Sequence, residues 1–444
     1  MRFLLLLTVV FGAVCSQLHA QAASSPANPQ EPSQPPQTGA TLTLAEAEAI
    51  ALKNNPQITI GRLRALAAQQ YVREARAALL PNAYLSLTAV DANPGSRLTA
   101  GFLNNPTLYP RAAGGVSVTQ LVTDFGRTAN LLSSSEYGAK SEDQNAAATR
   151  ADILLVVDQA FYNSLETKAL VTVAEETLHA RQTLVDKVQA LTNAKLKSEI
   201  DLSFSNVDLA RGKLLLLEAQ NNYQTSLAAL SAILGYPDEQ NFQLVEETAS
   251  VNQPATDVAP LIQQALEQRP EIKALQFEVA SAQKFGNAEH DLWRPTVHAL
   301  GVVGQAPVRD NHIESWYGAV GVNINIPVFN GFLYSARAKA ADLQTEVDRQ
   351  KLLEARNNLA RDVRNSWQDS RRAFERLSVT QQFREQASLA LDLAQARYNL
   401  GLGSIVEFTQ AELQKTEADI QDTDAKYQYR LTQIVLAFTI AAPK

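Results

Sequence analysis

The placement of proline constrains this 444-residue chain more than any other feature. No proline lies between Pro110 and Pro237, and none between Pro327 and Pro443, leaving two stretches of more than a hundred residues each. Proline removes a helical hydrogen bond and clashes with the turn before it, so both stretches are free to be helical over most of their length. Glycine narrows the reading. From Phe332 onward the glycines are Gly401 and Gly403, within Tyr398-Asn399-Leu400-Gly401-Leu402-Gly403-Ser404. Glycine weakens helix interiors and favours helix ends, which predicts two helices joined by a tight turn. Val363, Trp367, Phe374 and Leu377 before the turn, and Ile420, Tyr427, Leu431, Ile434 and Phe438 after it, recur at coiled-coil steps.

The N-terminus sets the compartment. Arg2, the apolar stretch Phe3 to Val14 and the small residues of Ala20-Gln21-Ala22 read as a secretory signal over residues 1–22. Its removal takes away Cys15, the single cysteine, and with it disulfide and thiol chemistry. Lipidation at Cys15 is disfavoured because Val14 stands where a small residue is normally required. Residues 23–40, with Pro26, Pro29, Pro32, Pro35 and Pro36, read as an extended linker. Beyond the signal no apolar run reaches the roughly eighteen residues of a membrane helix, so any crossing must be a closed β-barrel. A net charge of -7 argues against nucleic acid as a partner.

The chain repeats itself. Asn54-Asn55-Pro56 returns as Gln268-Arg269-Pro270, and Leu80-Pro81 as Arg294-Pro295, each 214 residues later. Asp124-Phe125-Gly126 is echoed by Phe329-Asn330-Gly331 at an offset of 205, and Asn193, Ser198 and Asp201 by Asn399, Ser404 and Glu407 at 206. The predicted order is helix, strand, loop, strand, long helix, turn, helix, twice: a first repeat over 41–235 and a second over 260–442, with an equatorial segment at 236–259. The strands are expected near 82–91, 115–123, 296–304 and 318–328. Val320, Val322, Ile324 and Ile326 alternate with Gly321, Asn323 and Asn325, and Ala83, Leu85, Leu87 and Ala89 with Ser86 and Thr88, as on a sheet with one lipid face and one wet face. Val297 to Val303 is apolar on both faces.

Length completes the geometry. A helix from about Gly126 to Asn193 would run roughly 100 Å, and those near 43–80 and 198–234 would together match it end to end. The second repeat gives the same sum with helices near 260–294, 332–398 and 404–440. Four strands cannot close around water, whereas three chains would supply enough for an open lumen.

This order, with the signal, the Asn-Pro in the first helical segment, the strand-to-helix Phe-Asn-Gly and the Tyr-x-x-Gly-x-x-Ser-x-x-Glu turn, resembles the TolC-type outer-membrane efflux proteins over about Thr41 to Ala442. The resemblance implies a mainly α fold with a small membrane β-barrel part. It implies a homotrimer with a twelve-stranded barrel in outer-membrane lipid, continuous with a twelve-helix periplasmic tunnel. It also implies a periplasmic membrane-fusion adaptor, and an inner-membrane transporter reached through that adaptor. In that family the helical turns form the tip where the adaptor docks. Tyr398, Gly401, Gly403, Ser404 and Glu407 match or lie within the second turn; Asn193, Ser198 and Asp201 match parts of the first. The first turn departs in placing Lys195 and Lys197 where the second has Gly401 and Gly403.

A channel needs no catalytic site, and no catalytic, cofactor or metal constellation is expected: His179, His290, His298 and His312 lack metal-site spacing. Asp201 and Glu407 are candidate pore-constriction carboxylates, repeated threefold at the narrow end. Their plainer and compatible role is in the first turn of a helix, at the positive end of its dipole. Trp293 and Trp316, beside predicted strands, are candidate membrane-interface aromatics, with core packing the alternative. Two other functions fit the same pattern: an exit duct for secreted protein or polysaccharide, and a periplasmic coiled-coil scaffold outside any membrane.

Overall fold

The computed structural model describes residues 41–91, 93, 111–246, 253–306 and 315–442. The expected signal and linker, Cys15 and His312 lie outside these residues.

Two helical hairpins dominate. Strand β1 (Thr41–Leu42) leads into α1 (Leu44–Asn54) and α2 (Pro56–Ala77); β2 (Asn82–Val90) and β3 (Arg111–Thr123) follow, then α3 (Arg127–Asn193) and α4 (Glu199–Ile233). After β4 (Gln243–Leu244), the second half gives α5 (Ala259–Gln268), α6 (Pro270–His290), β5 (Thr296–Gln305), β6 (Trp316–Asn325), α7 (Leu333–Asn399) and α8 (Ile405–Thr439). The long helices α3 and α7 have 67 residues each, and α4 and α8 have 35 each.

The repeat is stricter than its motifs suggest. Both hairpins superpose in sequence at a single offset of 206, including their entry turns. The expected 205-residue echo is one residue out of register: the consecutive left-handed pair Phe125-Gly126 corresponds to Gly331-Phe332. Asp124 therefore matches Asn330 rather than Phe329. The backbone requires two successive positive φ values before the helix, and the glycine has moved from the second of these positions to the first.

The expected unbroken first helices are each broken at the residue before Pro56 and Pro270. Proline is well placed at a helix's first position and disfavours helical backbone in the residue before it. The break serves the packing. Asn55 caps α2 through a 2.9 Å bond from the Gln57 N–H, and its side-chain amide donates to the Ile233 carbonyl at the end of α4. In the second half the Arg269 guanidinium donates to the Phe438 carbonyl at 2.8 Å and lies over the Phe438 ring. Each break residue thus ties a short helix to the end of the helix stacked below it.

The four long strands form one antiparallel sheet in the order β2-β3-β5-β6. β3 begins at Arg111, ahead of the expected 115. β6 spans 316–325 rather than reaching 328, because Pro327 has no N–H to offer a ladder. Toward the sheet, the helices lie side by side in the order α2-α3-α6-α7; toward the hairpin turns the order is α4-α3-α8-α7. Between the two ends, α1, the parallel β1-β4 pair and α4 pack on the middle of α3 around Leu42, Phe161, Leu230 and Leu244. A second core sets Ala265 and Ile272 against Leu359 and Val363 of α7.

Candidate functional site

The sheet has two unlike faces. Register places Leu85, Leu87, Val116, Val118, Val303, Val320, Val322 and Ile324 on one face. Val320 is 92% exposed, so its side chain enters no core within this chain. The opposite face carries Ser86, Thr88, Ser117, Thr119, His298, Asn323 and Asn325. On this polar face the Tyr317 ring lies across Gly304, its partner on β5, and reaches Gly115, the partner of Gly304 on β3; a Cβ built on either glycine would fall 2.5–2.6 Å from the Tyr317 hydroxyl. Those glycines are therefore floor for an aromatic ring rather than turn residues. Trp316 is exposed on the apolar face at the loop end of β6. Trp293 lies near the opposite end, just before β5, edge-on to Tyr334 with ring centroids 5.4 Å apart. Both indoles are substantially exposed, which excludes a buried core role in this chain. Trp367 is different: it is buried, and its indole N–H donates to the Ala255 carbonyl.

The hairpin turns share one backbone. Lys195 (φ 63°) and Gly401 (φ 72°) occupy the same left-handed position, and the following N–H groups close the helix ends through Leu196 to Leu191 at 2.8 Å and Leu402 to Arg397 at 2.9 Å. Ser198 and Ser404 then cap α4 and α8.

The side chains use that frame differently. Asp201 forms a reciprocal capping box with Ser198, accepting from its N–H at 3.2 Å and its hydroxyl at 2.9 Å. Glu407 instead pairs with Arg397 at 3.3 Å. Both candidate carboxylates are thus first-turn residues with a partner. Asn193 accepts from the Gln189 amide on its own helix.

Tyr398 joins the hairpins. Its ring is buried, stacks on Phe408 at 5.6 Å, and carries the Lys197 ammonium 3.8 Å from its centroid. Burial, and secondarily the Asp201 charge, raise its phenol pKa. Lys187 of α3 adds a 2.7 Å bond to Asn399. Gly403 leaves room for Glu407 and Arg397: a Cβ there would sit 3.1 Å from the glutamate oxygen.

The sequence reading missed the apolar tip residues. Leu196, Ile200, Leu400, Leu402 and Val406 are all exposed, and Leu196 and Ile200 match Leu402 and Val406 across the repeat. The available signal was a leucine inside a turn otherwise built of lysine, glycine and serine.

Among the described residues no helix is long and apolar enough to cross a membrane, and no three side chains are grouped to hold a metal ion. His290 pairs with Asp342 at 3.0 Å.

The outer membrane efflux protein model matches residues 49–236 and 261–442. The chain is 24% identical to Protein CyaE of Bordetella pertussis over 84% of this chain and 78% of that one. It is 20% identical to outer membrane protein TolC of Escherichia coli, over 86% and 78%. Its fold is similar to solved structures of CusC (TM-score 0.78, 19% identity, 89% of this chain and 91% of that one) and of VceC from Vibrio cholerae (TM-score 0.76, 18%, 89% and 95%).

Proposed function

The chain belongs to the outer membrane efflux protein family, and we propose that this outer-membrane efflux channel works as a homotrimer that docks by its hairpin tips on a periplasmic adaptor. The observation that carries the trimer is an open edge at every level. Among the described residues, β2 and β6 are unpaired on their outer sides. Below them α2 and α7 flank the helical layer, with Ile60, Leu63 and Leu66 exposed on one and Leu343 and Val347 on the other. Toward the tip the outer helices are α4 and α7, with Phe204, Val207, Leu214 and Leu217 exposed on one and Val379, Leu389 and Leu393 on the other.

Unlike edges on opposite sides demand a head-to-tail contact, which closes into a ring when the rotation allows it. Three copies give twelve strands, enough for a water-filled lumen. The apolar sheet face then meets lipid and the polar face lines the lumen, with Trp293 and Trp316 as interfacial aromatics near the two ends of the band.

At the other end, the exposed pairs Leu196/Ile200 and Leu402/Val406 offer an adaptor two related contacts per chain. Asn193, Ser198, Tyr398, Gly401, Gly403 and Ser404 hold their shape, and an inner-membrane transporter engages through the adaptor. Asp201 and Glu407 stand one turn from the tip, where a trimer would bring six carboxylates toward the constriction.

Detergent-purified protein should cross-link as trimers through cysteines placed at Val207 and Leu389, which lie at similar distances from the tip, and should give discrete conductance steps in a planar bilayer. A monomer that is soluble without detergent and does not conduct would refute the trimeric channel in favour of a periplasmic scaffold.

A further inference from the structure

One charged cluster lies inside the seam between the two hairpins. Arg181 of α3, Asp208 of α4 and Glu412 of α8 are 3%, 4% and 8% exposed. The Arg181 guanidinium donates to the Asp208 carbonyl at 3.1 Å, and its Nε lies 3.2 Å from the Asp208 carboxylate, close enough for an ion pair though not aligned as a hydrogen bond. Glu412 lines the same narrow groove as Arg181, and its Oε2 is buried without a hydrogen-bond partner among the described residues.

The nearby cations are committed elsewhere. Lys415 bonds Asp419, and Arg384 of α7 pairs with Asp419 and Asp422 at 3.2 Å each. Glu176 of α3 lines the same groove of about 210 Å³ and adds negative charge. One guanidinium therefore faces two buried carboxyls, and a buried site with that imbalance favours keeping one carboxyl protonated.

The fold does not require this cluster. The positions related by 206 residues are Ala387, Gln414 and Asn206, all neutral. The same seam carries a second pairing of this composition, Glu166 of α3 against Asp424 of α8, with Arg376 of α7 2.7 Å from Asp424 and Tyr427 and Glu246 nearby.

We propose that Arg181, Asp208 and Glu412 form a proton-dependent latch between the hairpins, closed while the two carboxyls share a proton and loosened when it leaves. The inference rests on the channel reading, in which parting of the hairpins widens the periplasmic end.

Burial first, and the Asp208 charge second, push the Glu412 carboxyl up to about 7 against the pull of Arg181. Once the seam parts, the glutamate returns toward its ordinary 4.5. The closed seam therefore binds the proton more tightly. Its advantage is full below the ordinary glutamate value, falls as pH rises through about 7, and is constant above.

The test uses the full assembled protein, with two readouts. In an infrared titration, the carbonyl band of a protonated carboxylic acid, taken as wild type minus Glu412→Gln, should be present in mild acid and vanish with a midpoint near 7. Asp208→Asn should lower that midpoint by more than about one pH unit, since it removes the neighbouring charge. In planar bilayers, wild-type conductance should rise severalfold as pH on the hairpin side increases through the same range, while E412Q stays at the low value throughout.

No difference band, an unmoved midpoint in D208N, or an E412Q profile that follows wild type would each overturn the latch. The infrared readout needs no conduction, so a missing band sinks the latch and leaves the channel reading standing. An intact band with no conductance at any pH would overturn the channel reading and the latch with it. Should E412Q not assemble, the D208N midpoint, read against wild type, carries the infrared test.

Discussion

The two hairpin tips have one backbone and two chemistries. At the second tip the left-handed position is Gly401, a residue with no Cβ to strain; at the first it is Lys195, which bears the cost of that conformation, about 1 kcal/mol. Two positions on, Gly403 leaves space for the Arg397–Glu407 pair, whereas Lys197 crosses to the other hairpin and caps the Tyr398 ring. The second tip thus closes on itself, and the first reaches across. The difference teaches that the repeat preserves what the helix ends require of the backbone, while the side chains are free to divide the labour of holding the hairpins together.

The shared tip core offers the strongest way to break this comparison. Phe408→Ala removes a buried ring stacked on Tyr398 and should cost about 3–4 kcal/mol. Leu202→Ala, the related position 206 residues earlier and only half-buried, should cost about half as much. Hydrogen exchange over the Leu184 to Ala411 cluster reads both, and equal losses at the two positions would remove the asymmetry.

The left-handed position sharpens the comparison at smaller cost. Gly401→Val should destabilise by about 2 kcal/mol, because a β-branched residue is forced to positive φ. Lys195→Gly should stabilise by about 0.5 kcal/mol, relief of strain being partly offset by the freer unfolded chain. Thermal midpoints in detergent distinguish these signs; a stabilised Gly401→Val would show that the turn is not held in that conformation.

The smallest effect concerns ion preference. The Glu407 charge is already met by Arg397 and the Asp201 carboxylate is occupied by its cap, so E407Q alone should hardly alter cation selectivity. The double variant D201N/E407Q should reduce it by a factor of about two. Unchanged reversal potentials in a salt gradient would remove both carboxylates from the constriction.

Much of this molecule was legible along the chain because its signals are local. Two proline-free stretches gave the long helices, Gly401 and Ser404 marked a helix end and the next beginning, and the alternation around Val320 and Ile324 gave a two-faced strand. The turn at Phe125-Gly126 was harder, since the glycine shifts by one position between repeats while the backbone conformation does not. The tip leucines went unread for another reason: exposure is a property of what surrounds a residue, and a leucine in a turn looks the same whether it is covered or bare.

By itself, then, the sequence determined helix length, the kinds of turn and the alternation of the strands, because proline, glycine and side-chain periodicity act within a few residues of where they stand. Only the tertiary structure decided that Asn55 and Arg269, at breaks set by Pro56 and Pro270, grip the ends of the stacked helices, that α4 and α7 are left as open edges, and that Arg181, Asp208 and Glu412 from three helices are buried together. Those outcomes depend on burial and charge brought together between segments far apart in the chain, 178 residues for Asn55 and Ile233 and 169 for Arg269 and Phe438, and neither is a property of any single segment.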